Sequence, residues 1–296
     1  MKPVKIAVLP VAGFGTRVLP ATKTIPKEML PVVDRPALQY VVDEALEAGI
    51  EHFVFITGRQ KSAIENYFDS AYELEDALQR KKKTTIFDEL KSMQPREGSM
   101  SFVRQQAAKG LGHAVWCARD IVGDQPFAVL LPDVLVQSKR SCLAQMMDAY
   151  QDVGGNIIAV DAVPEDKVSS YGVIKPKAGE DYRDKQLIQM DGMVEKPAQK
   201  DAPSNLKITG RYILQPELMK LLKDQEAGAG GEIQLTDAMA RLMEDQSFHA
   251  FVYDGQDYDC GSKIGYLEAV MAYAKIHPDI GEEAKALIKR MAGEGG

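Results

Sequence analysis

The sequence predicts an α/β protein built around a doubly wound sheet of parallel strands. Three short apolar runs, each bounded by glycine or proline, have the length and composition of buried strands; they cover residues 4–9, 52–57 and 127–131. Between the first two runs, residues 37–48 carry apolar side chains at helical spacing, and Gly49 follows as a helix stop. This order of strand, helix and strand is the unit from which doubly wound sheets are built.

The same alternation continues along the chain and is interrupted twice. Helices are predicted over residues 112–120 and 141–151, and a further strand follows at 156–160. The strongly charged segment 70–97 favours an exposed helical insertion. The short alternating runs in 170–212 predict a small antiparallel element over one end of the sheet. No repeat or low-complexity linker divides the chain into independent domains.

The last 34 residues, 263–296, predict a helical tail that ends in glycines. Leu267, Val270, Met271 and Ala274 recur on one face of this helix. Such a face can pair with a second copy of the chain or pack on the protein's own sheet, and the sequence leaves both arrangements open.

Composition excludes several functional classes. The chain has 296 residues, of which 45% are hydrophobic and 27% charged, and its net charge of −7 argues against a general nucleic-acid-coating role. No run reaches the roughly 18 apolar residues of a membrane span, and the start lacks a signal-peptide pattern, so we expect a cytoplasmic protein without a membrane partner. The three cysteines and four histidines lack the spacings of disulfide frameworks or zinc sites.

The first strand runs into a glycine-containing loop that is rich in positive charge. Gly13 and Gly15 would let backbone N–H groups approach a ligand closely, and Arg17, Lys23 and Lys27 add three positive charges. The loop lacks the third small residue of a dinucleotide fingerprint and the Gly-Lys pair of a P-loop. A polyphosphate site and an ordinary solvated loop both remain open from these residues alone.

Acidic residues follow two predicted strands. Asp133 comes directly after the strand at 127–131, at the carboxyl end where open α/β sheets bind ligands. Asp254, Asp257 and Asp259 form a second cluster after another predicted strand. Two carboxylates could flank one Mg²⁺ whose other ligands are phosphate oxygens and water. The alternative is that these acids are only turn or helix-cap residues.

Eight ordered groups of residues extend over nearly the whole chain. They are 9–13 with Arg17, 26–31, 57–59, Gln105 with 109–114, 131–133, 171–173, 195–197 and 258–261. In this order they resemble the bacterial UTP:glucose 1-phosphate uridylyltransferases of the sugar-nucleotidyltransferase superfamily. Phe14, Val18 and Arg35 depart from the family pattern without removing a charge or glycine that the mechanism needs.

The resemblance implies a Rossmann-like three-layer α/β/α sandwich with a mixed, mainly parallel sheet. Residues 1–262 would form the nucleotidyltransferase domain, with 70–97 as the helical insertion and 170–212 as the sugar-binding part. The tail, 263–296, would be a possible oligomerisation element, because members of the family are commonly homo-oligomers; a dimer or a tetramer is expected here.

The resemblance also assigns roles to individual residues. The catalytic residues would be Arg17, Lys27 and Asp133. The nucleotide-binding residues would be Ala12, Gly13, Gly15, Thr16, Glu28, Gln105 and Gly110. The residues that bind the sugar phosphate would be Gly172, Glu195, Lys196 and Gly210. The Mg²⁺ ligands would be Asp133 and Asp259. Gln105 would read uracil by offering both a donor and an acceptor, whereas His113 is expected to be structural.

The implied reaction joins UTP to glucose 1-phosphate, gives UDP-glucose and releases pyrophosphate. The sugar-phosphate oxygen would attack the α-phosphorus in line, with Mg²⁺ as the cofactor and no covalent enzyme intermediate. The nearest alternative is a thymidylyl- or cytidylyltransferase for the same sugar phosphate. An alternative from another class is a catalytically silent regulatory subunit with this fold.

Overall fold

A computed structural model describes residues 1–179, 181–182 and 185–293. Its strands are β1 (Ile6–Pro10), β2 (Pro31–Val32), β3 (Arg35–Pro36), β4 (His52–Thr57), β5 (Met100–Arg104), β6 (Phe127–Leu130), β7 (Val134–Gln137), β8 (Asn156–Ala162), β9 (Gly172–Pro176), β10 (Leu187–Glu195), β11 (Leu206–Leu214), β12 (Phe248–Val252) and β13 (Gln256–Asp259). Its α-helices are α1 (Ala37–Glu47), α2 (Ser62–Phe68), α3 (Tyr72–Arg80), α4 (Thr84–Ser92), α5 (Leu111–Trp116), α6 (Arg119–Val122), α7 (Cys142–Val153), α8 (Leu218–Lys223), α9 (Leu235–Leu242), α10 (Lys263–Ile276) and α11 (Gly281–Gly293).

Nine strands within the described ranges form one central sheet, in the order β5-β4-β1-β6-β11-β8-β12-β10-β9. β1 pairs in parallel with β4 and β6, β4 with β5, and β8 with β12. β11 runs antiparallel to β6 and β8, and β10 runs antiparallel to β12 and β9. β10 and β11 therefore oppose the common direction of the other strands, and the predicted mixed, mainly parallel sheet is confirmed.

Helices cover both faces of the sheet because the central strands are apolar on both sides. Ala7 and Leu9 of β1 belong to a core that includes residues of α1, α2, α7 and α10. Ile6 and Val8 belong to a second core that includes residues of α5, α8 and α9. Successive residues of a strand point to opposite faces, so a continuous apolar strand must be covered twice. The predicted three-layer sandwich is confirmed.

One of the antiparallel strands lies deeper in the sheet than the sequence indicates. The segment 170–212 contains β9, β10 and most of β11. β9 and β10 extend its edge, and β11 is inserted between β6 and β8. All residues of β11 except Ile208 are buried, which explains why this strand takes a central position. The predicted antiparallel element at one end of the sheet is therefore confirmed for β9 and β10, whereas β11 takes a central position that was not predicted.

The insertion and the tail are helical as predicted. Residues 70–97 contain α3 and α4, whose side chains are largely exposed. The tail contains α10 and α11, and residues 294–296 lie outside the described part of the chain. In α10, Ala269 and Tyr273 pack into the core, whereas Leu267 and Met271 of the predicted apolar face are exposed. This face therefore does not pack on the protein's own sheet.

Candidate active site

The glycine-containing loop after β1 folds back so that it lies beside Lys27. Gly15 has a φ of 66°, and a Cβ there would lie 3.1 Å from Lys27 Cβ. The Thr22 hydroxyl donates to the Gly15 carbonyl at 2.7 Å and closes the loop. A residue without a side chain is thus needed where the loop approaches Lys27 most closely.

Glu28 holds this loop in place through a buried ion pair with Lys61. Its carboxylate is 1% exposed and accepts a hydrogen bond from Lys61 Nζ at 2.8 Å, and Lys61 is itself 6% exposed. Burial raises the pKa of the Glu28 carboxyl, against the opposing charges of Lys61 and Lys27. The structure therefore places Glu28 away from the cavities that the other predicted nucleotide-binding residues line.

Asp133 and Asp259 come together because two short strands, β7 and β13, pair with each other. β7 begins directly after Asp133 and pairs with β13, which places Asp259 opposite Val134. The Cys260 N–H donates to the Asp133 carbonyl at 2.7 Å. A Cβ on Gly261 would lie 2.9 Å from Asp259 Oδ1 and 3.1 Å from Asp133 Oδ2, so both carboxylates border the same glycine.

Lys27 joins the two loops by contacting Asp133. Its Nζ lies 2.5 Å from Asp133 Oδ2. Burial alone would raise the pKa of the Asp133 carboxyl, but the positive charges of Lys27 and Arg17 hold it below its usual value. Asp133 is therefore ionised at neutral pH, as a metal ligand must be.

The acidic cluster predicted at 254–259 is divided by the fold. Asp257 forms a nearly buried ion pair with Lys207 at 2.6 Å and accepts a hydrogen bond from the Tyr253 hydroxyl. Asp254 is exposed, and it lies outside the cavities that contain the other acids. Of the three, only Asp259 thus lies beside Asp133.

A buried arginine fixes the backbone of the loop that carries Asp133. Arg211 is fully buried and binds the carboxylate of Glu44 through Nε and Nη2, with the shortest contact at 2.8 Å. Its Nη1 donates to the Leu131 carbonyl at 3.0 Å and its Nη2 to the Val134 carbonyl at 2.7 Å. The two carbonyls that flank Asp133 are thereby fixed by a single side chain. Neither Arg211 nor Glu44 is among the predicted site residues.

Two cavities meet at Arg17 and Asp133. Their volumes are about 300 and 410 Å³, and both residues line both of them. The larger cavity is also lined by the predicted catalytic residue Lys27 and by predicted nucleotide-binding residues: Ala12, Gly13, Gly15, Thr16, Gln105 and Gly110. The other is lined by the predicted sugar-phosphate residues and the second metal ligand: Gly172, Glu195, Lys196, Gly210 and Asp259. The structure therefore brings together every predicted site residue except Glu28.

The smaller cavity also contains polar residues that the sequence did not reveal. Thr236 donates its hydroxyl to Glu195 Oε2 at 2.8 Å and fixes that carboxylate, while the other oxygen lies 3.4 Å from Lys196 Nζ. Lys207, one of two charged residues in the buried strand β11, lines the same cavity. A lysine in such a strand was the one signal that could have identified it.

Gln105 lies at the end of β5 with its amide held on one side. Nε2 is 3.1 Å from the Gly110 carbonyl oxygen and 3.1 Å from His113 Nδ1. Both amide hydrogens are therefore directed into the protein. The expectation that Gln105 offers both a donor and an acceptor to a base must be reduced to an acceptor alone.

Known proteins are similar to this chain in sequence and in fold. Residues 6–276 match the family model described as Nucleotidyl transferase. The chain belongs to the nucleotidyl transferase family. It is 50% identical over 264 residues to a UTP–glucose-1-phosphate uridylyltransferase from Komagataeibacter xylinus, which covers 89% of this chain and 92% of that relative.

Solved structures of such enzymes superpose closely on the chain. A UTP-bound UGPase from Acinetobacter baumannii has a TM-score of 0.89 and 47% identity, with 96% of this chain and 98% of that chain covered. A UDP-glucose pyrophosphorylase complexed with UDP-glucose has a TM-score of 0.81 and 42% identity, with 93% and 100% covered. The resemblance expected from the motifs is thus confirmed. No helix in the described ranges is both long and apolar enough to cross a membrane.

Proposed function

We propose that the chain transfers UMP from UTP to α-D-glucose 1-phosphate, giving UDP-glucose and pyrophosphate. The observation that carries this proposal is the pair of cavities joined at Arg17 and Asp133. One cavity has the glycine loop and Gln105 for a nucleotide, and the other has Glu195 and Lys196 for a sugar phosphate. Relatives of 44–50% identity over most of the chain are uridylyltransferases for this sugar phosphate, so a thymidylyl- or cytidylyltransferase is not favoured.

The reaction needs alignment of two anions more than it needs proton transfer. Arg17 and Lys27 would bind the triphosphate and stabilise the charge that develops on it. Lys196 would hold the sugar phosphate, and Glu195, oriented by Thr236, would accept hydrogen bonds from glucose hydroxyls. The attacking phosphate oxygen is already ionised near pH 7, so no general base is required.

The residues at the junction fit a magnesium ion. Asp133 and Asp259 would hold it, because their carboxylates border the same glycine and Asp133 is kept ionised. No group of three or more potential ligands occurs within the described ranges, which suits Mg²⁺ shared with phosphate oxygens and water. When bound, Mg²⁺ neutralises developing phosphate charge. Lys27 contacts the same carboxylate and places a second positive charge beside the junction.

We also propose a homo-oligomer, a dimer or tetramer, that forms through the outer face of α10. Ile264, Leu267 and Met271 expose apolar side chains on this face.

A cytoplasmic location stays part of the proposal: Cys117, Cys142 and Cys260 are unpaired, as expected in a reducing compartment.

Pyrophosphate release from UTP, CTP or dTTP with glucose 1-phosphate tests the proposed reaction. We expect UTP to be the preferred nucleotide. A preference for dTTP or CTP would replace the uridylyl assignment, and no release with any nucleotide would favour the silent-subunit alternative.

The metal assignment predicts that Asp133→Asn lowers turnover by about a hundredfold or more while the fold is kept, because a charged ligand is lost without a change in volume. Turnover at several Mg²⁺ concentrations and circular dichroism provide the measurement. Asp254→Asn, at an exposed acid outside both cavities, is the matched control and should leave turnover unchanged. Normal turnover of Asp133→Asn at ordinary Mg²⁺ would refute the assignment.

A further inference from the structure

We propose that His113 is a positioning residue that sets the choice of base by fixing the orientation of the Gln105 amide. The inference rests on the proposed function, because it takes the cavity lined by Gln105 as the nucleotide site. It gives a role in base selection to a residue that touches Gln105 and would not itself touch the base.

Two acceptors, the Gly110 carbonyl oxygen and His113 Nδ1, together favour one orientation of the Gln105 amide. The Gln105 backbone N–H donates to the Thr57 carbonyl at 2.8 Å, which continues the pairing of β5 with β4 and fixes the start of the side chain. At the other end, the Gly110 carbonyl oxygen can only accept a hydrogen bond. The amide nitrogen faces Gly110, and its second hydrogen is directed to His113 Nδ1, so each acceptor holds one of the two amide hydrogens.

Gly110 is itself held in place. It has a φ of 100°, and a Cβ there would lie 2.7 Å from Glu232 Cβ and 2.8 Å from the Ile233 carbonyl oxygen. Backbone hydrogen bonds from Ile233 N to Lys109 O at 2.7 Å and from Gly112 N to Ile233 O at 2.8 Å close the segment on both sides. One of the two acceptors for the Gln105 amide is thus fixed by backbone packing.

The second acceptor depends on the state of the imidazole ring. Nδ1 of His113 accepts only if the ring is neutral and carries its proton on Nε2. Burial and the positive charges of Lys109 and Arg119 lower the pKa of His113, so the neutral ring predominates at pH 7. The ring also packs beside Trp116 at 5.8 Å between centroids, and the Arg119 guanidinium covers that indole at 3.8 Å.

This arrangement leaves Gln105 Oε1 as the group that can face a base. Among the described residues, no hydrogen bond to Oε1 accompanies the two that Nε2 donates. A pure acceptor matches the N3–H of uracil, whereas cytosine presents a lone pair at N3. If the amide rotated by half a turn, its NH₂ group would match cytosine instead. Thymine has the same N3–H as uracil, so His113 should not affect the choice between UTP and dTTP.

Two substitutions at one position separate the hydrogen bond from the packing. His113→Phe keeps a ring of similar size but removes the acceptor. His113→Asn removes the ring but keeps an acceptor, because Asn Oδ1 lies as many bonds from Cβ as His Nδ1 does. Binding of UTP and of CTP to the full chain is measured by calorimetry, and kcat/KM is measured for UTP, CTP and dTTP with glucose 1-phosphate.

We expect His113→Phe to reduce the preference for UTP over CTP by about tenfold, the effect of one mispaired polar group. His113→Asn should keep most of that preference, and both variants should keep the ratio of UTP to dTTP. Thermal melting of each variant checks that the fold is intact. If His113→Phe does not fold, His113→Asn provides the test. Loss of the preference for UTP over CTP in that variant refutes the inference, and retention of the preference supports it.

Three results would overturn the inference. They are an unchanged UTP preference in folded His113→Phe, an equal loss of selectivity against dTTP and CTP, and a wild-type chain that binds UTP and CTP alike. Failure of the proposed function gives a different pattern. In that case the wild-type chain would bind UTP in preference to CTP but would release no pyrophosphate with glucose 1-phosphate.

Discussion

Two loops meet where Lys27 contacts Asp133, and a buried ion pair supports each of them, but the two pairs are built differently. Arg211 binds Glu44 through two nitrogens and also donates to both carbonyls that flank Asp133. Lys61 makes one contact with Glu28, whose Oε1 is among the buried polar atoms in the described residues that have no hydrogen-bond partner.

The difference follows from what each loop must position. If Asp133 is the magnesium ligand that we propose, its oxygen has to meet near-ideal octahedral geometry, which requires a fixed backbone on both sides of Asp133. The planar guanidinium of Arg211 can do this because its donors point in several fixed directions. Lys27 instead presents a compact charge on a flexible stem, and a single ion pair beneath its loop is sufficient.

The largest effect is expected when Arg211 is replaced. Arg211→Met leaves the Glu44 carboxylate buried without its partner, and we expect a loss of about 3–5 kcal/mol in the free energy of unfolding. The same variant should need about 10- to 100-fold more Mg²⁺ for half-maximal turnover, because the carbonyls around Asp133 are released. Denaturant unfolding and Mg²⁺ titration of turnover measure the two effects.

A double variant separates stability from positioning. Arg211→Met combined with Glu44→Leu removes the unpaired carboxylate as well, so most of the stability should return. The Mg²⁺ requirement should stay high because nothing replaces the hold on Leu131 and Val134. If stability and Mg²⁺ requirement recover together, the pair is only a structural element and the comparison between the two loops fails.

A smaller, pH-dependent effect is expected at the other pair. Lys61→Met should cost about 2–3 kcal/mol at neutral pH, less than Arg211→Met, because the pKa of Glu28 is already raised and its carboxyl can take up a proton. Because the pKa of Glu28 is raised in the folded state, the folded protein binds more protons than the unfolded chain at pH values above the ordinary pKa of Glu. Stability of the variant should therefore increase as the pH falls from about 8 to about 5.

The control for this prediction removes the titrating group. Lys61→Met combined with Glu28→Gln should show no pH-dependent gain relative to the wild-type chain, as no carboxyl remains at the site. Equal pH profiles for the single and double variants would mean that Glu28 is not the group that takes up the proton.

The sequence could predict the candidate substrate-binding residues but not the residues that support them. Asp133 follows an apolar strand, and Arg17 and Lys27 lie on a glycine loop, so their positions in the chain already indicate a site at the end of the sheet. Arg211 and Glu44 are 167 residues apart. Their pairing depends on β11 lying between β6 and β8, which no local pattern encodes.

Glu28 shows the complementary error. It belongs to a motif whose neighbour, Lys27, reaches the cavity, and the motif alone does not say which side chain of the turn faces inward. Its partner Lys61 lies just before α2, on the far side of the loop. The role of Glu28 thus depends on the packing of α2 beneath the loop, which only the three-dimensional arrangement reveals.

The smallest effect on the site is expected from the tail, although α10 lies close to both loops. The Tyr266 hydroxyl donates to the Pro31 carbonyl at 2.6 Å, and Ala269 and Tyr273 belong to the core. Removal of all residues after Ser262 would therefore expose the core and could not report on self-association. Substitutions on the exposed face, Leu267→Glu with Met271→Glu, avoid this problem.

We expect this double variant to shift the mass measured by light scattering from an oligomer to a monomer, because two charges would be buried at an apolar interface. The activity per chain should change by less than about twofold, since neither buried ion pair is disturbed. Lys81→Glu on the exposed insertion changes the net charge by the same amount and should leave the mass unchanged. An unchanged oligomer in the α10 variant would place the interface elsewhere, whereas a monomer with a raised Mg²⁺ requirement would show that self-association supports the Asp133 loop in addition to Arg211.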